Sequence, residues 1–128
     1  MPEQITLEAP LDDDFQPVVR LIVGGIATHA AFGFDDLDDL QLAIERLLAE
    51  AGADGRVALS FEVRPGAIGV RIGPLHDVGL VEALKSDGIL PGGLTLARIL
   101  QTVVSSFAVE VVGDGDIVVR LEKLAEGS

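Results

Sequence analysis

Between Phe15 and Ala30 the apolar residues Phe15, Val18, Val19, Ile22, Ile26 and Ala30 recur every three or four positions. That spacing puts them on one face of a helix running from about Asp13 to Ala31. Asp12, Asp13 and Asp14 place negative charge at its N-terminus, where the helix dipole favours it. Gly24 and Gly25 inside this helix cost on the order of 1 kcal/mol each relative to alanine, so close backbone packing is expected there. Gly33 is read as the helix stop, Asp35 as the cap of the next helix and Asp38 as the second half of a shortened capping box. Leu37, Leu40, Ile44, Leu47, Leu48 and Ala51 form the buried stripe of that second helix, and Gly52 ends it.

Elsewhere the pattern has a period of two. Ile5 and Leu7 alternate with polar neighbours in a short first strand closed by Pro10. Val57, Leu59, Phe61 and Val63 alternate with Ala58, Ser60, Glu62 and Arg64, Pro65-Gly66 turns the chain, and Ile68, Val70 and Ile72 alternate again, which predicts a β-hairpin. Gly73 to Gly92 reads as a partly ordered connection with a short helix over Val78 to Lys85. Leu96, Ile99, Leu100, Val103, Val104 and Phe107 mark a third long helix, and Val109 to Val112 and Ile117 to Leu121 form a closing hairpin around Gly113 to Asp116. Helices with one apolar stripe and alternating strands predict an α+β two-layer sandwich, a mostly antiparallel mixed sheet with helices on one face. One domain over residues 1–128 is expected, with Ile22, Ile26, Leu40, Ile44, Leu47, Phe61, Val70, Leu100 and Val103 sharing one core.

Charge and composition then narrow the function. A net charge of −12 argues against nucleic acid, whose binding rests on Lys and Arg neutralising phosphates, and favours basic protein surfaces as partners. Plain solubility is the simpler reading of that acidity. The absence of cysteine removes disulfides and thiolate metal sites. No apolar run approaches the ~20 residues of a membrane span, and the start MPEQITLEAP lacks a signal-peptide pattern, so a cytoplasmic protein without membrane partners is expected.

Gly25-Ile26-Ala27, Gly33-Phe34, Asp39-Leu40, Ala43-Ile44 and Ala51 fall in register with a recurring family pattern. In these residues the chain resembles the anti-sigma factor serine kinases, a branch of the GHKL ATPase superfamily whose Bergerat-type fold has the same element order. The resemblance covers nearly the whole chain, and it implies that the first two helices form a nucleotide-binding helical pair. In that register the family's general-base Glu falls on Arg46, its magnesium-binding Asn on Glu50 and its adenine-anchoring Asp on Gly73. Asp77, in Asp77-Val78-Gly79, is a displaced remnant of the last motif, and Gly92-Gly93 keep the phosphate-cradling glycines ahead of the third helix.

A guanidinium donates hydrogen bonds and cannot accept a proton, so Arg46 cannot act as the general base. Glu50 alone is a weak magnesium ligand, and the plainer reading pairs it with Arg46 as an i,i+4 ion pair on the helix surface. Glu45, one residue off register, points about 100° away around the helix. Gly92 and Gly93 have a plainer reading too, as the flexible start of a helix. His29 and His76 are read as structural or solvent-exposed, with no partners nearby to complete a metal site. No catalytic residue, no metal and no cofactor is therefore assigned, with weak Mg-ATP binding at most.

The resemblance, with those replacements, implies a regulatory protein that docks stoichiometrically to a sigma factor or an anti-anti-sigma factor. Asp35, Asp36, Asp38 and Asp39 are the candidate docking residues. Two alternatives stay open: an ATP-dependent serine protein kinase with atypical motifs, and a dimerisation or interaction module that kept the fold. Homodimers are common in the family, although no position marks an interface here.

Overall fold

The computed structural model describes residues 3–10, 13–50, 56–75, 96–113 and 116–125. Their elements are β1 (Glu3–Pro10), a 3-10 turn (Asp13–Phe15), α1 (Gln16–His29), α2 (Phe34–Glu50), β2 (Arg56–Arg64), β3 (Ala67–Leu75), α3 (Leu96–Val103), β4 (Ser106–Val111) and β5 (Ile117–Leu124). The strands form one sheet in the order β1-β2-β3-β5-β4, with every neighbouring pair antiparallel. The α+β architecture expected from the pattern is the one observed.

Alternation decides which face is buried. Val57, Leu59, Phe61 and Val63 of β2, Ile68, Val70 and Ile72 of β3, and Ile117, Val119 and Leu121 of β5 point inward and are buried. The helices cover this side: α1 meets α2 and β2, while α2 meets α3 and β5. Ile26, Leu40, Ile44, Leu47, Phe61, Val70, Leu100 and Val103 are buried in one cluster as expected, and Ile22 packs against its margin.

The start of α1 differs from expectation. Pro17 lacks an N–H and fits only in a first helical turn, so the α-helix begins at Gln16 behind the 3-10 turn. The acidic residues therefore precede the first turn of α1, which contains none, and Phe15 at the cap position makes no side-chain cap. The buried stripe is correspondingly Val19, Val23, Ile26, Ala27 and Ala30, whereas Phe15 and Val18 are exposed.

At its other end α1 stops before Gly33. Ala31 adopts a left-handed conformation (φ 58°), Phe32 N–H donates to Ala27 C=O and Ala31 N–H to Thr28 C=O, which together make a Schellman closure with alanine where glycine is usual. The free carbonyl of Ala30 accepts from Gly66 N–H in the β2–β3 turn, and Gly66 C=O accepts from Ala125 N–H. The hairpin tip is thus bonded to α1 and to the end of β5.

Three further expectations are corrected. A Cβ on Gly24 or Gly25 would meet nothing within 4 Å, so these glycines do not serve close packing inside the chain; they lie on the outer side of α1. Gly33 C=O accepts from Leu37 N–H and α2 begins at Phe34, so Gly33 holds the cap position and Asp35 and Asp36 lie in the first turn, where the dipole still favours them. The third helix ends at Val103; Phe107 belongs to β4 and pairs with Leu121, because its spacing suits a strand as well as a helix and pairing with β5 decides between them. The Gly73 to Gly92 connection lies outside the described residues beyond Leu75.

Two variants check this account. Leu100→Asp would bury an unpaired charge in a fully buried position and is expected to cost several kcal/mol, read as a collapsed melting transition. Gly25→Ala, in an exposed helix interior with open space around it, is expected to gain about 1 kcal/mol in a denaturant titration. A loss of stability instead would mean that something must approach Gly25 closely.

Candidate functional site

The residues expected at a nucleotide site fall on separate elements. Arg46 lies on the outer side of α2, exposed, in a shallow depression shared with Gln16, Pro17 and Arg20 of α1 and with Glu45 and Ala49. Glu45 accepts from Arg20 Nη1 at 2.6 Å, which holds α1 to α2 at their solvent edge. A second tie runs beneath it, where buried Gln41 Nε2 donates to Arg20 C=O at 3.0 Å. Arg46 therefore sits among groove-forming side chains between two helices, where its guanidinium offers a cation and hydrogen-bond donors and cannot accept a proton. Glu50 is the last residue of α2, and its side chain lies outside the described residues, as does any pair with Arg46.

Gly73 is a buried position of β3, held between two strands. It pairs with Ala58 of β2, whose neighbours Val57 and Leu59 point into the core, so position 73 faces the side of the sheet away from the helices. A Cβ built there would lie 2.8 Å from Val118 Cγ2 and 2.9 Å from the Ile117 carbonyl oxygen of β5. The second of these contacts is backbone, so it cannot yield by a side-chain rotation. β3 and β5 approach each other here beside a shift in their register, between Ile72 and Leu75. Asp77, Gly92, Gly93 and His76 lie outside the described residues.

The four aspartates of α2 separate into two pairs by helical geometry. Asp36 and Asp39, three residues apart, turn toward the protein: Asp36 is buried, and Asp39 Oδ2 accepts from Lys123 Nζ at 3.2 Å. Asp35 and Asp38 are exposed. Lys123 is itself buried, its side chain only 5% accessible, because it continues the inward phase of Ile117, Val119 and Leu121 in β5. A buried ammonium needs a partner, so Asp39 acts as a tie between α2 and the sheet. The closing strand is expected to end at Leu121; its alternation, continued two residues further, is the signal that places Lys123 inside.

Among the described residues no group of three or more His, Cys, Asp or Glu side chains is placed to hold a metal ion, and no helix is long and apolar enough to cross a membrane. His29 is exposed as the last residue of α1, where a basic group suits the helix dipole.

Comparison with known proteins gives the family context. No family model matches the chain. The serine-protein kinase RsbW of Halalkalibacterium halodurans is 24% identical over an alignment of 146 positions that covers 98% of this chain and 85% of the relative. RsbW kinases of Listeria innocua and Bacillus licheniformis are 24% and 25% identical over 56% and 59% of this chain, and over 50% and 45% of their own lengths. The chain is thus similar to serine-protein kinases named RsbW, along nearly its whole length for one of them and over more than half of it for two others, in agreement with the anti-sigma factor kinase resemblance of its helical motifs.

Proposed function

We propose that this protein is a regulator of the anti-sigma factor type that acts by stoichiometric docking to a protein partner, with nucleotide binding weakened or lost. The observation that carries the reading is Gly73. The family's adenine anchor would have to be a carboxylate side chain at this position, and here even a Cβ meets the Ile117 carbonyl at 2.9 Å and is directed away from the helical layer. Arg46, at the general-base position, supports the same reading, since it faces the α1–α2 groove and cannot take up a proton. What the chain retains is the framework: a helical layer fixed to the sheet by a continuous core and by the Lys123–Asp39 pair.

Docking to a sigma factor or an anti-anti-sigma factor needs such a framework and no phosphoryl transfer. An acidic surface steers encounter with a basic region of the partner, and the exposed Asp35 and Asp38 at the start of α2 are positioned for it. Asp36 and Asp39 contribute to that field from buried or paired positions. The second reading, an ATP-dependent serine protein kinase with atypical motifs, is favoured by the near full-length similarity to RsbW of Halalkalibacterium halodurans.

The two readings separate on a partner captured from the native cell and then purified. Asp35→Lys with Asp38→Lys is expected to slow association several-fold and to flatten its dependence on salt, while the melting temperature falls only modestly, through the loss of favourable charge near the N-terminus of α2. Phosphate transferred from Mg-ATP to that partner would instead establish the kinase. Restoring the family residue by Gly73→Asp is expected to lower the melting temperature and to leave Mg-ATP binding no stronger than in the parent.

A further inference from the structure

The side of the sheet that the helices leave open carries an arginine pair with an unusual arrangement. Arg71 of β3 and Arg120 of β5 stand directly opposite each other in the antiparallel register. Like charges in that relation repel. A single carboxylate spans them: Glu110 of the edge strand β4 accepts from Arg71 Nη2 at 3.1 Å through Oε2 and from Arg120 Nη1 at 3.3 Å through Oε1. Each of the three side chains remains between about a third and three-fifths exposed, at 51%, 57% and 36%.

Beside the pair the sheet surface is hollow. A depression of about 520 Å³ runs over Gly69, with Ser60 and Gln4 on one side and Ala108 and Ser106 on the other. A Cβ on Gly69 would make only ordinary contacts at 3.9 Å, so the hollow is not forced by packing. The neighbouring carboxylates Glu62 and Glu122 both pair with Arg64, and among the described residues Glu110 is the carboxylate paired with the two central arginines.

We propose that Arg71 and Arg120 form a docking site for a carboxylate-bearing segment of a protein partner, with Glu110 as an internal stand-in that the incoming Asp or Glu displaces. Guanidinium groups present planar donor forks that match a carboxylate, and the structure already holds one in the bridging position. Exposed ion pairs of this kind contribute little to stability, so exchanging one carboxylate for another is inexpensive. Glu110 lies on an edge strand, from which its side chain can swing aside without disturbing a second strand. The chain's net charge of −12 opposes acidic partners at long range, so recognition here rests on short-range contact with one or two carboxylates. The site lies on the opposite side of the sheet from α2 and does not depend on the proposed anti-sigma activity.

The test is fluorescence anisotropy with a labelled hexapeptide carrying two adjacent glutamates, beside the same peptide with glutamines. Glu110→Gln is expected to bind the glutamate peptide about threefold or more tightly than the parent, and the glutamine peptide not measurably. Adding Arg71→Gln or Arg120→Gln to Glu110→Gln should abolish that binding, and Glu110→Ala should reproduce the gain. Thermal melting of every variant confirms that the exposed substitutions leave the fold intact. Glutamate-peptide binding that survives loss of both arginines overturns the proposal, as does failure of Glu110→Gln to bind the peptide. Binding of inorganic sulfate without binding of the peptide would also overturn it, by marking a site for small free anions.

Discussion

The phase of alternation in β2, β3 and β5 is the constraint on which the rest of the molecule depends. One face of these strands is apolar and lies under three helices, and the other is polar and open. A slip of one residue in any register would exchange the faces, placing Phe61 or Val70 in water and Arg71 or Glu62 in the core. The same phase takes Lys123 inside, where Asp39 meets it, and sends Arg71 and Arg120 outside, where Glu110 bridges them. It also turns position 73 away from the helical layer and toward Val118 and the Ile117 carbonyl of β5.

Around that sheet the helical layer is fixed at a few polar points. Arg20–Glu45 and the bond from Gln41 to the Arg20 carbonyl join α1 to α2, Asp39–Lys123 joins α2 to β5, and the Gly66 turn joins the end of α1 to the end of the sheet. A helical layer held to the sheet in this way is the framework on which the proposed docking rests.

The sheet and its core were legible in the sequence because a period of two over nine residues has one interpretation, and Leu100 and Ile44 followed from a period of 3.6 in the same way. Helix ends were less legible. The aspartates before α1 suggested a cap, but Pro17 sets where the α-helix can begin, and Ala31 closes it in a conformation that sequence preferences assign to glycine. Phe107 fitted both periods, and only the presence of β5 beside it decides for a strand. At the candidate site, the identities of Arg46 and Gly73 are read directly from the sequence, whereas the division of the four aspartates into an inward-turned pair, Asp36 and Asp39, and an exposed pair, Asp35 and Asp38, needed the orientation of α2. The arginine pair was not readable, since it joins residues 49 positions apart that meet only through the β3–β5 register.

The central claim is that the framework persists without a working nucleotide site, and titration calorimetry with Mg-ATP on the intact chain tests it most directly. The account predicts no saturable heat at micromolar nucleotide. Binding at micromolar concentration would contradict it and make the kinase the better reading.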